Sequence, residues 1–81
     1  MDTSTAQKVL SALIQKQMVI LGPSVALGRA RKVKSLTVAD DGNVTGISGD
    51  ADTSIKQLVD EYVALSGEIS RNIFNSLVSN L

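Results

Sequence analysis

The side chains that most often carry nucleophilic and metal chemistry are missing from this sequence, which has no histidine and no cysteine among its 81 residues. A serine therefore has no imidazole to activate it, no thiolate exists to attack, and the common zinc sites have no ligands. Carboxylates remain. Asp60 and Glu61 are adjacent, but neighbours on a helix point about 100° apart, so the two do not face one another across a site. The expectation is a solvated face. No catalytic residue, metal or cofactor is predicted, and the chain reads as a non-enzyme.

Three motifs look like ligand sites and fail on spacing. Gly22-Pro-Ser-Val-Ala-Leu-Gly28-Arg29 suggests a phosphate loop, yet the Lys-Ser/Thr pair is missing and no strand feeds it. Asp40-Asp41-Gly42-Asn43, with Asp50 and Asp52 downstream, lacks the alternating ligands and closing Glu of a calcium loop. A hairpin turn explains it better. Asn43-Val44-Thr45 matches the glycosylation sequon, but no secretory signal accompanies it.

Arg29, Arg31, Lys32 and Lys34 form the densest charge cluster and would suit phosphate contacts without sequence readout. The formal net charge is zero, no aromatic residue stands nearby for base stacking, and no DNA-binding motif is present. These features argue against nucleic acid as the partner. The expectation is a solvated connector that pairs with the acidic region from Asp40 to Asp52, with a nucleic-acid-associated protein as the alternative function. A small-molecule sensor is a further alternative, since aliphatic cores and aliphatic pockets look alike in sequence.

Length sets the frame for any such site. A chain this short is a single domain, 1–81, that buries only about 60 to 65% of its unfolded surface. With disulfides impossible, oligomerisation is the remaining source of extra stability. The core must be aliphatic, because the chain has one Tyr, one Phe and no Trp. Its longest apolar stretch, Val9 to Leu21, falls well short of the roughly 20 residues needed to span a membrane. The start, Met1-Asp2-Thr3-Ser4, has no basic residue, unlike a signal peptide. A cytoplasmic protein with no membrane partner is expected.

The elements that would position a site read as α+β and mostly helical. A helix over about 4–21 is predicted to open on Ser4-x-x-Gln7, a capping-box pattern. Ala6, Val9, Leu10, Leu13, Ile14, Ile20 and Leu21 share its apolar face. Gln17 falls within that face; it either sits at a half-exposed edge or sets register in a helix interface. Gly22-Pro23 ends the helix. Residues 23–33 are a short helix with Pro23 in its first turn, or else an irregular connector that tucks Val25 and Leu27 under the core and exposes the basic residues. Residues 34–48 read as a β-hairpin closed by Asp41-Gly42. The run LTVADDGNVTGISG, Leu36 to Gly49, resembles the hairpin of BON-type domains. The resemblance covers this run alone, the strand such a domain has after the following helix is missing, and no function is carried over.

The last element is predicted as one long helix over about 54–80, opened by Ser54-x-x-Gln57. Ile55, Leu58, Val59, Tyr62, Leu65, Ile69, Ile73 and Leu77 hold one phase along it, across Ser66-Gly67, where a kink is also plausible. Val63, Gly67, Ser70, Phe74, Val78 and Leu81 run down one flank at nearly coiled-coil spacing. At the usual rise such a helix spans about 40 Å, whereas a compact domain of this size has a radius of gyration of about 12 Å. The helix would overhang its own domain. Val63, Gly67, Ser70, Ile73, Phe74, Leu77, Val78 and Leu81 are the predicted interface. The predicted function is a protein–protein interaction or oligomerisation module, an adaptor or small subunit of an assembly. Self-association through the C-terminal helix as a homodimer is the leading expectation, and another protein is the second candidate partner.

Overall fold

In a computed structural model the chain folds in the order α1 (Thr3–Leu21), α2 (Pro23–Ala30), β1 (Leu36–Val38), β2 (Val44–Ile47), α3 (Ala51–Ser66) and α4 (Glu68–Ser79). The structure describes residues 2–79, with the side chains of all of these except 66, 68–71, 73 and 74. The expected α+β class holds: four helices and a two-stranded antiparallel hairpin.

Both long helices begin on an aspartate rather than on the expected serines. The Asp2 carboxylate accepts from the Thr5 backbone N–H at 2.7 Å, and α1 starts at Thr3. Asp50 accepts from the Thr53 N–H at 3.0 Å and from its hydroxyl at 2.6 Å, so α3 starts at Ala51, ahead of the predicted boundary. An ionised carboxylate is the stronger acceptor for the unpaired first-turn amides and also complements the helix dipole. Ser54 is used elsewhere. Its buried hydroxyl donates to the Asp50 carbonyl at 3.0 Å and lies 2.6 Å from the Ser35 hydroxyl, which joins α3 to the foot of the hairpin.

The Thr53 hydroxyl and amide hold the Asp50 carboxyl below its ordinary range, and the Thr5 amide does the same for Asp2. Because the folded values are depressed, the stabilisation is complete above about pH 4, where the unfolded carboxylates are ionised. It is lost as pH falls through the folded values. Asp50→Asn keeps an acceptor at the cap but not the charge. Acid titration followed by helical circular dichroism should therefore show a shallower loss of melting temperature below pH 4 in Asp50→Asn than in the unaltered chain.

α1 is the central element, packed against α2, α3, α4 and β2. Its inner face carries Ala6, Leu10, Leu13 and Ile14, fully buried against Ala26, Ala30, Val33, Leu36, Val38, Val44, Leu58 and Tyr62. Gln17 is also fully buried, so the half-exposed position expected for it does not occur. A helix covered from several sides has little exposed edge for the amide to occupy. The segment after Gly22 forms α2, with Pro23 in the first turn. There Pro lacks an N–H that would have no helical partner anyway.

The hairpin lies along a second side of α1. Leu36 pairs with Ile47, Thr37 with Gly46 and Val38 with Val44, with a bulge between Thr37 and Val38. The Val44 N–H donates to the Ser11 hydroxyl at 2.8 Å, and the Gln15 amide donates to Asp41 O and Asn43 Oδ1, each at 3.3 Å. Polar residues on α1 thus hold one strand and the turn.

The single helix expected over 54–80 is instead two helices, and the overhang expected from it is absent. α3 closes with the Gly67 N–H donating to Val63 O at 2.8 Å, and Gly67 takes φ 63° and ψ −142°, outside any helix. Glycine adopts this backbone without a Cβ penalty. α4 then returns to pack on α1 and α3, and the longest dimension of the molecule is 27 Å, with a radius of gyration of 11.0 Å. No described helix is long and apolar enough to cross a membrane.

Candidate functional site

The basic cluster is divided by the fold. Arg29, in the last turn of α2, pairs with Glu61 of α3 at 3.2 Å, so Glu61 is not on a purely solvated face. Arg31, just past α2, donates to Asp40 at 2.8 Å and to the Val38 carbonyl at 3.1 Å, which ties the end of β1 to this turn. That contact agrees with the expected pairing between the basic segment and the acidic hairpin region. Lys32 and Lys34 are exposed and border an open polar hollow with Gln57 and Asp60. Arg29 is half-buried in its ion pair, whereas Arg31, Lys32 and Lys34 stay exposed, Arg31 with its charge offset by Asp40.

The predicted C-terminal interface is also divided. Val63 and Leu77 are half-buried and pack against the chain's own core. Val78 is half-buried, and Gly67 is exposed at the junction of α3 and α4. Leu81 lies outside the described residues, as do the side chains of Ser70, Ile73 and Phe74. Among the described residues, the flank that was expected to face another molecule partly closes this one.

Exposed apolar surface lies elsewhere. Val19 is 83% exposed, Ile20 46%, Val25 47% and Leu65 39%. Ile20 and Leu65 were expected on core-facing stripes, and Val25 under the core only if residues 23–33 formed an irregular connector. Each stands at or near the end of its helix, beyond the point where another element covers it. Ile20 and Val25 flank the tight turn at Gly22-Pro23. Leu65 is one helical turn past Tyr62, whose hydroxyl donates to Ala26 O at 2.8 Å and so fixes this end of α3 beside the start of α2.

Val19 has a different setting. With Ala12 and Lys16 it forms one wall of an open groove along α1, and Ser76 and Leu77 of α4 form the other. The sequence held a signal for this exposure: in Val19-Ile20-Leu21 three consecutive helical residues cannot all face one core. The described hollows are open to solvent, and none is an enclosed aliphatic cavity of the kind a small-molecule sensor would use. Among the described residues no group of acidic side chains is placed to hold a metal ion.

Comparison of the chain with family models, with curated proteins and with solved structures found no match.

Proposed function

We propose that this domain is a non-enzymatic protein–protein interaction module that self-associates through apolar residues left exposed at its helix ends. The observation that carries the reading is the exposure of Val19, Ile20, Val25 and Leu65, large apolar side chains that the chain's own core leaves open to solvent. Covering them with another molecule would remove apolar surface from water. A second copy suits it electrostatically. Eight basic and eight acidic residues give zero formal net charge, so two copies approach without the mutual repulsion that keeps highly charged proteins apart.

The chemistry of the chain favours this over the alternatives. The guanidiniums that would grip phosphates are engaged by Glu61 and Asp40. Composition provides neither imidazole nor thiol for catalysis. The role that fits is an adaptor or small subunit whose biological unit contains more than one copy.

Substitution at these exposed positions tests the reading. Leu65→Asp and Val25→Asp place a carboxylate where an apolar contact would be buried, and an unpaired buried charge should raise the dimer Kd by roughly a hundredfold or more. Both positions are exposed in the monomer, so its melting temperature should hardly move. Multi-angle light scattering on the unaltered chain and both variants reads the difference. A chain that is monomeric before substitution, or variants that associate as strongly as the parent, would sink the proposal.

A further inference from the structure

One dipeptide of the hairpin turn carries covalent chemistry that needs no partner. Asp41-Gly42 is the only place in the chain where an Asp or Asn is followed by glycine. A side-chain carboxyl there stands next to a backbone nitrogen that no Cβ of the following residue shields. In ring closure the Gly42 nitrogen gives up its proton and bonds to Asp41 Cγ. That proton and the hydroxyl of the neutral carboxyl leave as one water, and a five-membered succinimide remains. Water then opens the ring. Cleavage at Cγ restores aspartate, whereas cleavage at the backbone carbonyl leaves isoaspartate, with the chain running through Cβ and Cγ. One water leaves and one returns, so no other reactant is consumed.

The folded turn opposes the first step, because the Asp41–Gly42 peptide is held at both ends. The Gly42 N–H donates to Ala39 O at 3.0 Å, and Gln15 Nε2 of α1 donates to Asp41 O at 3.3 Å. The nitrogen can lose its proton and swing toward Cγ only after these bonds let go. The electrophile is held as well. One Asp41 carboxylate oxygen accepts from the Asn43 backbone N–H and the other from Asn43 Nδ2, each at 2.9 Å. Gln15 also donates to Asn43 Oδ1 at 3.3 Å, so the same α1 side chain steadies the residue that holds the carboxylate. Gly42 itself is buried against α1, where even a Cβ would lie 2.7 Å from Met18 Sδ. Its peptide has no room to turn while the hairpin is docked.

We infer that Asp41-Gly42 is a site of spontaneous aspartyl isomerisation that docking of the hairpin turn on α1 holds in check, so that the site reacts when the turn lifts. The change runs one way. Isoaspartate adds a carbon to the backbone between residues 41 and 42, and Gly42 then no longer fits its close approach to Met18 and Gln15. A turn that lifts and reacts is thereby kept from docking again.

Peptide mapping with electron-transfer fragmentation, which separates isoaspartate from aspartate at equal mass, tests this on the full chain after prolonged warm incubation. Isoaspartate should accumulate at position 41 in strong urea and form on the order of tenfold or more slowly in native buffer, its rate following the opened fraction through a urea series. Gln15→Ala removes both Gln15 hydrogen bonds to the turn and should speed the native reaction on the order of tenfold while the chain stays helical by circular dichroism. Asp41→Glu keeps the carboxylate and should abolish the product, because a glutamyl side chain closes a larger ring. Equal rates in native buffer and in urea, or a folded Gln15→Ala chain that reacts at the parent rate, would overturn the check exerted by α1. No isoaspartate even in urea would overturn the site itself. The urea series on the unaltered chain decides the matter even where Gln15→Ala loses its fold.

Discussion

Tyr62→Ala should remove most of the stability of this domain. The ring is fully buried among the aliphatic side chains of α1, α2 and α3, and its hydroxyl donates to Ala26 O at 2.8 Å. Truncating a buried aromatic to alanine costs roughly 3–5 kcal/mol, counting the lost transfer energy and the cavity left behind. A chain of this length is typically stable by only about 4–12 kcal/mol. Urea unfolding followed by circular dichroism should show the midpoint fall toward zero denaturant. Tyr62→Phe separates ring from hydroxyl: it keeps the packing, gives up one buried hydrogen bond, and should cost about 1 kcal/mol. Burial also pushes the Tyr62 hydroxyl well above its ordinary pKa. The folded value is raised, so the neutral phenol's contribution is fully present below about pH 10 and is lost as pH climbs beyond it. Tyr62→Phe should flatten that alkaline loss. An unchanged midpoint in Tyr62→Ala would mean that α3 is not anchored to α2 in this way.

Gly42→Ala is the second large effect, and it arises from the hairpin turn. Gly42 sits at φ +89°, and a Cβ there would lie 2.7 Å from Met18 Sδ and 2.9 Å from Gln15 Cγ. Met18 can swing its thioether aside. Gln15 cannot move freely, because its amide holds Asp41 O and Asn43 Oδ1 and Cγ lies in the middle of that reach. Strain at positive φ together with overpacking against α1 should cost roughly 2–4 kcal/mol. Gly46→Ala provides the contrast within the same hairpin. Its Cβ would meet Thr37 at 3.6 Å, an ordinary contact, and its φ is not positive. Thermal unfolding should thus rank Gly42→Ala far below the parent and Gly46→Ala close to it. Equal effects at the two glycines would contradict the docking of the turn on α1.

Much of this architecture was legible from local chemistry. Asp41-Gly42 between alternating apolar residues placed the hairpin, and Gly22-Pro23 placed the end of α1, because a turn residue acts within a few positions of itself. Cap identity was harder. Asp2 and Ser4, like Asp50 and Ser54, are both acceptable caps two to four residues apart; the choice fell to the carboxylates, charged acceptors that take the Thr5 and Thr53 amides. Three positive signals of the sequence were tertiary in origin and misled. The phase shared by Leu65 and Leu77 suited one straight helix, yet a single glycine with positive φ overrides phase. Ile20 and Leu65 followed the stripes, yet a stripe is buried only as far as another element covers it. Arg29, Arg31, Lys32 and Lys34 were neighbours in sequence, yet Glu61, 32 residues away from Arg29, draws that one residue into a half-buried ion pair and leaves the other three exposed. The central place of α1 was likewise invisible to periodicity, since Ser11 and Gln15 fall outside its apolar face and yet bind the hairpin.

The most direct test of the account is sedimentation equilibrium of the unaltered chain over a wide concentration range at moderate salt. The apparent mass should rise from that of the 8.5 kDa chain toward twice that value and change little with added salt, because the proposed interface is apolar and the net charge is zero. A single species of monomer mass across the whole range, with Ile20, Val25 and Leu65 still open to solvent, would contradict it.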